Sequence, residues 1–509
     1  MFRSLRLLIL AICLLPAVLG QSQHLFFCVN VSSAIGAPVS GRLLVFLAPG
    51  TETGDINQSP FDPESAWVAA KEIHDVQPGS FVEIDTDDIA YPKGFSQTKP
   101  GNYRAQALVD VDHSYNYFGR DPGDVVTDTI SLPDFDPAKA AVPVLTLSKV
   151  IPPAKLVPLS SGIKEEDFVS PVLSRFYARP IHMRALVVPP PHYTDHPERR
   201  YPAGYYTQGF GGSLDRSRGA ANLFASQMDH GKMPEMFWIL LDESLPTGTH
   251  EFADSVNNGP WGHALTTEFI PYLERRYRLD ARPGARLLNG HSSGGWATMW
   301  LQVRYPRIFG GTWSTSPDPV DFHDFTGVDL YAPNANMYHC AQGPCPLVRD
   351  RGKVLATLEQ FSHLEATLGP YGGQFASFEW VFSPRGPDGR PVPMFDRTNG
   401  NVNADVVQHW QQYDIANIIR THWKQLAPSL NGKIHIYVGT ADTFYLDGAV
   451  HRLDSLLRSL GANAKVQFLE GRTHMNLYDL GNDPHGLLNQ IAAEMYTAWK
   501  STAAPTGPK

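Results

Sequence analysis

Leu287-Leu288-Asn289-Gly290-His291-Ser292-Ser293-Gly294-Gly295-Trp296 decides the reading of this chain, because an apolar run breaks into Gly-x-Ser-x-Gly and then resumes at helical spacing. The pattern predicts a strand, a sharp elbow carrying Ser292, and a helix. A serine pushed out on so tight a turn leaves no room for side chains at Gly290 and Gly294. The flanks agree. Residues 285–288 read as a short buried strand, and Trp296, Met299, Trp300 and Val303 share one face of the helix that follows.

Downstream of the elbow, two apolar strand-like runs end in polar residues. Ile434-His435-Ile436-Tyr437-Val438 leads into Gly439-Thr440-Ala441-Asp442, and Val466-Gln467-Phe468-Leu469 leads into Glu470-Gly471-Arg472-Thr473-His474. The order nucleophile, acid, histidine is the order in which an α/β hydrolase supplies its triad. In this reading His474 takes the proton of Ser292, and Asp442 holds the imidazole tautomer and steadies its cation. Asp318 and Asp321 follow the strand after the nucleophile and remain alternative acids, whereas Asp447 belongs to the start of a helix. An oxyanion needs two N–H groups already aimed at it. The residue after the nucleophile, Ser293, is one candidate donor, and the Gly-rich turn Gln208-Gly209-Phe210-Gly211-Gly212 offers Phe210 as the other.

Around these motifs the 509 residues divide by texture. Residues 1–20 have a basic start, a short apolar middle and a small residue at the end, which predicts a cleavable secretory signal and a secreted or periplasmic product with no membrane span afterwards. Loss of Arg3 and Arg6 with that peptide takes the formal charge from −9 to −11 and argues against nucleic acid as a partner. Residues 21–150 carry short β-rich runs between Gly, Pro and Asp turns, which predict a sandwich-like accessory domain. Residues 151–175 read as a linker. Residues 176–500 alternate strands and helices, the pattern of a mostly parallel sheet covered on both faces. A long insertion at 317–414 is expected to fold as a cap over the pocket, and 501–509 as a disordered tail. Cys340 and Cys345 are spaced to close a small loop in an oxidising compartment; two further soft ligands for zinc are missing, so no metal and no cofactor is expected.

Together with Tyr201 to Gly212, Asn258-Gly259-Pro260-Trp261-Gly262, Tyr305 to Gly311 and Ser316-Pro317-Asp318, these motifs resemble the esterase D and enterochelin-esterase-like group of α/β hydrolases, in the expected order from Phe176 to Trp499. The resemblance implies a serine hydrolase acting on a small-molecule or carbohydrate-linked ester through an acyl-enzyme, with Ser292, Asp442 and His474 as the triad and Phe210 and Ser293 framing the oxyanion. Gln208-Gly209 departs from the His-Gly common in that loop. Acyl transfer to a carbohydrate and a catalytically inactive binding module are the alternatives; the complete set of Ser292, Asp442 and His474 counts against the second.

Overall fold

The computed structural model describes residues 24–59, 61–114, 120–369 and 373–502. The signal expected at 1–20 therefore lies outside the described residues.

Alternating apolar residues in the first 150 positions build one nine-stranded sheet. Its path runs Phe81–Asp85, Phe26–Val31, Val144–Val150, Val125–Thr127, Gly101–Asp110, Val39–Pro49, Trp67–Val76 and Ala90–Tyr91, and Ile130–Phe135 pairs beside Gly101–Asp110. The expected sandwich thus comes from a single continuous sheet. Register shifts near Gly41, Tyr103 and Thr127 interrupt the pairing, and such bulges bend strands. Phe27, Val29 and Leu145 from one end of the path consequently share a core with Leu43, Val45 and Val109 from the other.

The central strands bury both faces, which a lone solvated sheet would not do. Leu44, Phe46, Val68, Ala70 and Leu108 turn away from the core of their own sheet and join a cluster with Trp296, Met299 and the apolar side chains of the 317–414 insertion. Arg42, 5% exposed, crosses the same boundary and donates to the carbonyls of Ala366 and Thr367.

Residues 151–175 are only partly a linker. Lys164–Val169 is the edge strand of the sheet built by the rest of the chain, paired antiparallel with His182–Val188, and the helix Pro171–Tyr177 follows at once. The polar run Lys-Glu-Glu-Asp conceals the strand because its inward residue is charged. Glu166 is buried, yet it accepts from the hydroxyls of Tyr272 and Tyr277 and pairs with Arg276.

The second large sheet runs Lys164–Val169, His182–Val188, Phe237–Leu241, Ala203–Thr207, Arg286–His291, Gly311–Thr315, Ile434–Gly439 and Ala464–Leu469. From Phe237–Leu241 onward every pairing is parallel. Strand alternation separates two apolar layers. Trp238, Leu240, Leu287 and Tyr437 meet the helices Ser217–Asp229 and Gly486–Thr502. Ile239, Leu288, Ile436 and Val438 face the opposite layer, which holds Trp261, Phe269, Leu301 and Leu453. Each such side chain contributes about 2 kcal/mol of burial.

Two local details follow from backbone chemistry. The helix that starts at Trp261 passes through a π-helical turn, Leu265–Phe269, just before Pro271, because a proline cannot donate to the carbonyl four residues back. At the other end of the chain the last helix continues to Thr502, so residues 501 and 502 belong to a helix and not to the expected tail. Arg282 donates to the Thr502 carbonyl, and residues 503–509 lie outside the described residues.

The insertion is a folded body with its own aromatic core. Trp296 packs on Phe382 at 4.9 Å, and Phe382 on Trp410 at 5.2 Å. Cys340 and Cys345 are joined in a disulfide across a two-stranded turn.

Candidate active site

Ser292 sits at φ 61° and ψ −126°, a conformation that residues with a side chain rarely occupy. The turn is over-determined by its surroundings. The Ser292 N–H donates to the Thr315 carbonyl, and the Ser292 carbonyl accepts from Trp296 and Asp318. A Cβ at Gly290 would lie 2.2 Å from the Gly294 carbonyl oxygen, and one at Gly294 would lie 2.4 Å from that of Gln208. Both contacts are with main chain, which cannot step aside. Gly290→Ala is therefore expected to cost about 3 kcal/mol or more of stability, measurable as a lowered urea midpoint with an unchanged slope.

The imidazole arrives from the loop after Ala464–Leu469, and the carboxylate from the loop after Ile434–Gly439. His474 Nδ1 is 3.0 Å from Asp442 Oδ2. The two are 6% and 0% exposed, so the pair works in a dry environment. Asp442 Oδ1 also accepts from the N–H groups of Phe444 and Leu446. Burial pushes the Asp442 carboxyl up, but the neighbouring imidazole and these N–H donors outweigh it and hold the group below its ordinary value. The His474 ring is walled by Phe444, edge-on at 5.0 Å, and by His291 at 4.4 Å. His291 is itself kept neutral: burial, aided by His474, pushes it down to about 3.

Ser292 and His474 line one cavity of about 340 Å³ with Gln208, Gly209, Phe210, Gly211 and Gly212. The Gly-rich turn lies directly against Ser292, since a Cβ at Gly209 would be 2.8 Å from Ser292 Cβ. Phe210 is thus brought to the serine, and Ser293 opens the helix Ser293–Arg304 immediately behind it. All five residues singled out from the sequence converge at the carboxyl ends of neighbouring parallel strands.

Asp318 is closer to Ser292 than chain order suggests. Ser292 Oγ donates to its Oδ1 at 3.4 Å, Ser293 Oγ donates to its Oδ2 at 2.5 Å, and Gln374 Nε2 approaches Oδ2 at 3.4 Å. Asp318 therefore clamps the elbow, and Asp442 is the carboxylate that meets the imidazole. Asp321 is taken up elsewhere, by His323 and Arg420, and Asp447 pairs with Arg349.

Burial pushes the Asp318 carboxyl up to about 6, partly offset by the hydroxyls and by His474. Two further buried carboxyls, Glu243 and Glu251, feel its charge and are themselves held well above the usual range. An unfolded chain ionises Asp318 near 3.8, whereas the folded chain keeps it protonated to about 6. Stability from this group is full below about pH 4 and is lost as pH rises through 6, by on the order of 3 kcal/mol. Asp318→Asn should flatten that limb, read as urea midpoints of the two proteins between pH 4 and 7.5.

Among the described residues, two side-chain groups elsewhere bring three potential metal ligands together, Asp321 with His323 and Asp414, and Asp110 with Asp112 and Asp124. Asp414 is occupied by the N–H groups of Phe322 and Asn417 and by the Tyr331 hydroxyl. His250, Glu251 and Asp254 do not form such a set: Asp254 is bound to His263 and Tyr305.

A serine on a strained strand-to-helix elbow, beside a histidine–aspartate pair at the carboxyl edge of a mostly parallel sheet, defines the α/β-hydrolase class. The chain belongs to the Esterase family, described as "Putative esterase", whose model matches residues 180–500. It is similar to the "Uncharacterized protein YbbA" of Bacillus subtilis (strain 168), 29% identical over 142 residues that cover 26% of this chain and 54% of that protein. The chain thus spans about half the length of this curated relative. Similar solved structures include a ferulic acid esterase (13% identity, 67% of this chain and 100% of that one, TM-score 0.42). An S-formylglutathione hydrolase from Agrobacterium tumefaciens is another (12% identity, 69% and 100%, TM-score 0.38).

Proposed function

We propose that this protein is a serine carboxylic ester hydrolase that works through an acyl-enzyme. The observation that carries the reading is the convergence of Ser292, on its strained elbow, and the buried His474–Asp442 pair on one cavity. Ser292 Oγ gives up its long bond to Asp318, passes its proton to His474 Nε2 and attacks the ester carbonyl. Asp442 holds Nδ1 and steadies the imidazolium. The oxyanion is received by the N–H groups of Phe210 and Ser293. The alcohol leaves with the proton carried by His474, and water then enters by the same route in reverse. The protein acts outside the cytoplasm, in keeping with a signal at 1–20 and with the Cys340–Cys345 disulfide. Its substrate is a small-molecule or carbohydrate-linked ester. Among the described residues no helix is long and apolar enough to cross a membrane.

The test is to treat the protein with a fluorophosphonate, map the modified peptide by mass spectrometry and follow hydrolysis of short-chain esters in parallel. Modification at Ser292 with turnover is the expected result. Modification elsewhere, or none together with no turnover, overturns the reading.

A further inference from the structure

The N-terminal part of the chain sends the Phe61 side chain into the cavity that Ser292 lines. The connection from Val39–Pro49 to Trp67–Val76 leaves the sheet and returns after a turn that carries Phe61, and Phe61 lines the same cavity as Ser292 and His474. Its ring lies 6.1 Å from that of Phe444, which in turn stands edge-on to the His474 imidazole. Phe61 is therefore one aromatic ring away from the general base.

That position is built. Ile56 and Ala66 are each 1% exposed and sit in the apolar cluster shared with the catalytic unit. Between them the buried Gln58 amide donates to the carbonyls of Pro63 and Ala66, closing the turn from inside. The Phe61 N–H donates to Ser59 Oγ. Gln106 accepts from the Ile56 N–H and ties the connection back to its own sheet. On the far side Glu64 accepts from Gln360 at 2.8 Å, and the next residue, Phe361, lines the cavity from the insertion. A side chain so fixed loses little freedom when a substrate packs against it.

Three separate parts of the chain thus supply one aromatic wall: Phe61 from the N-terminal sheet, Phe361 from the insertion, and Phe210 with Phe444 from the catalytic loops. Met475, 68% exposed beside the histidine, adds an adaptable apolar edge. Aromatic rings that line a cavity offer their faces and edges to a flat apolar group in offset or edge-on contact. We infer that Phe61 is a specificity-determining residue through which the N-terminal sheet selects esters bearing a ring-shaped apolar arm. This inference rests on the ester-hydrolase reading.

Its test compares methyl 3-phenylpropanoate with methyl propanoate, which differ only by the phenyl group, by pH-stat titration. Phe61→Ala is expected to lower kcat/KM for the phenyl ester about tenfold while leaving the propanoate within about twofold. Phe61→Trp should retain the preference. Rates of fluorophosphonate modification and urea midpoints close to those of the wild type show that the fold and the nucleophile are intact in both variants. An unchanged ratio of the two esters in Phe61→Ala overturns the inference. Should the wild type hydrolyse neither ester and Ser292 take up no fluorophosphonate, the hydrolase reading fails on its own. Binding of methyl 3-phenylpropanoate to Ser292→Ala and to Ser292→Ala/Phe61→Ala, followed by ligand-observed NMR, then decides the role of Phe61: weaker binding in the double variant supports it, and equal binding or none overturns it.

Discussion

Ser292→Ala is expected to lower kcat for ester hydrolysis by at least about 10⁴-fold and to abolish fluorophosphonate incorporation, with little change in the urea midpoint. The adjacent hydroxyl cannot take over. Ser293, the nearest in sequence, is 1% exposed and commits its Oγ to Asp318 Oδ2. Alanine also relieves little of the elbow's strain, because the strained φ is imposed by main-chain bonds to Thr315, Trp296 and Asp318 that remain. Activity should therefore fall without a matching change in stability. Incorporation that persisted at full rate in the variant would mean that another serine carries the chemistry.

Asp442→Asn is the second large effect, about 10⁴-fold in kcat with the backbone unchanged. Its cause is the tautomer. Asp442 Oδ2 accepts from His474 Nδ1, and Oδ1 already accepts from two main-chain N–H groups. An asparagine that keeps its oxygen toward those N–H groups must present its NH₂ to Nδ1. The imidazole then carries its proton on Nε2 and has no lone pair for Ser292. The measurement is kcat across pH 6 to 9 for the wild type, Asp442→Asn and Asp318→Asn. Asp318→Asn should lose no more than about tenfold, since it supports the turn and does not touch the imidazole. An equal loss in both variants would show that Asp318 shares the work of the triad.

The residues nearest the chemistry were legible because each is announced by local pattern. Gly290 and Gly294 mark the elbow through steric need, and Asp442 and His474 each follow a short apolar run that reads as a strand, the first buried and the second a half-buried edge. What stayed hidden depends on contacts distant in sequence. The bond between Asp318 and the nucleophile arises only when Gly311–Thr315 lies beside Arg286–His291. The strand Lys164–Val169 was disguised by Glu166, whose burial is tolerable only with the tyrosines more than a hundred residues away. The continuous sheet at the start of the chain could not be told from two sheets, because alternation reports which side of a strand is buried and not which strand is its neighbour. Phe61 carries no local signal at all. It reads as an aromatic in a turn, and its role comes from where Ile56, Gln58 and Ala66 pin that turn.

The strands Val39–Pro49, Trp67–Val76 and Gly101–Asp110, apolar on both sides, make the question of modularity concrete. A fragment cut to the stretch that matches the family model, residues 180–500, would still hold Ser292, Asp442 and His474. It would also lack the edge strand and expose the apolar surface that Leu44, Phe46 and Leu108 now cover. The stretch that carries the three side chains is therefore shorter than the stretch that buries the core beneath them. Change in the first 150 residues can retune substrate choice without altering a single reacting atom.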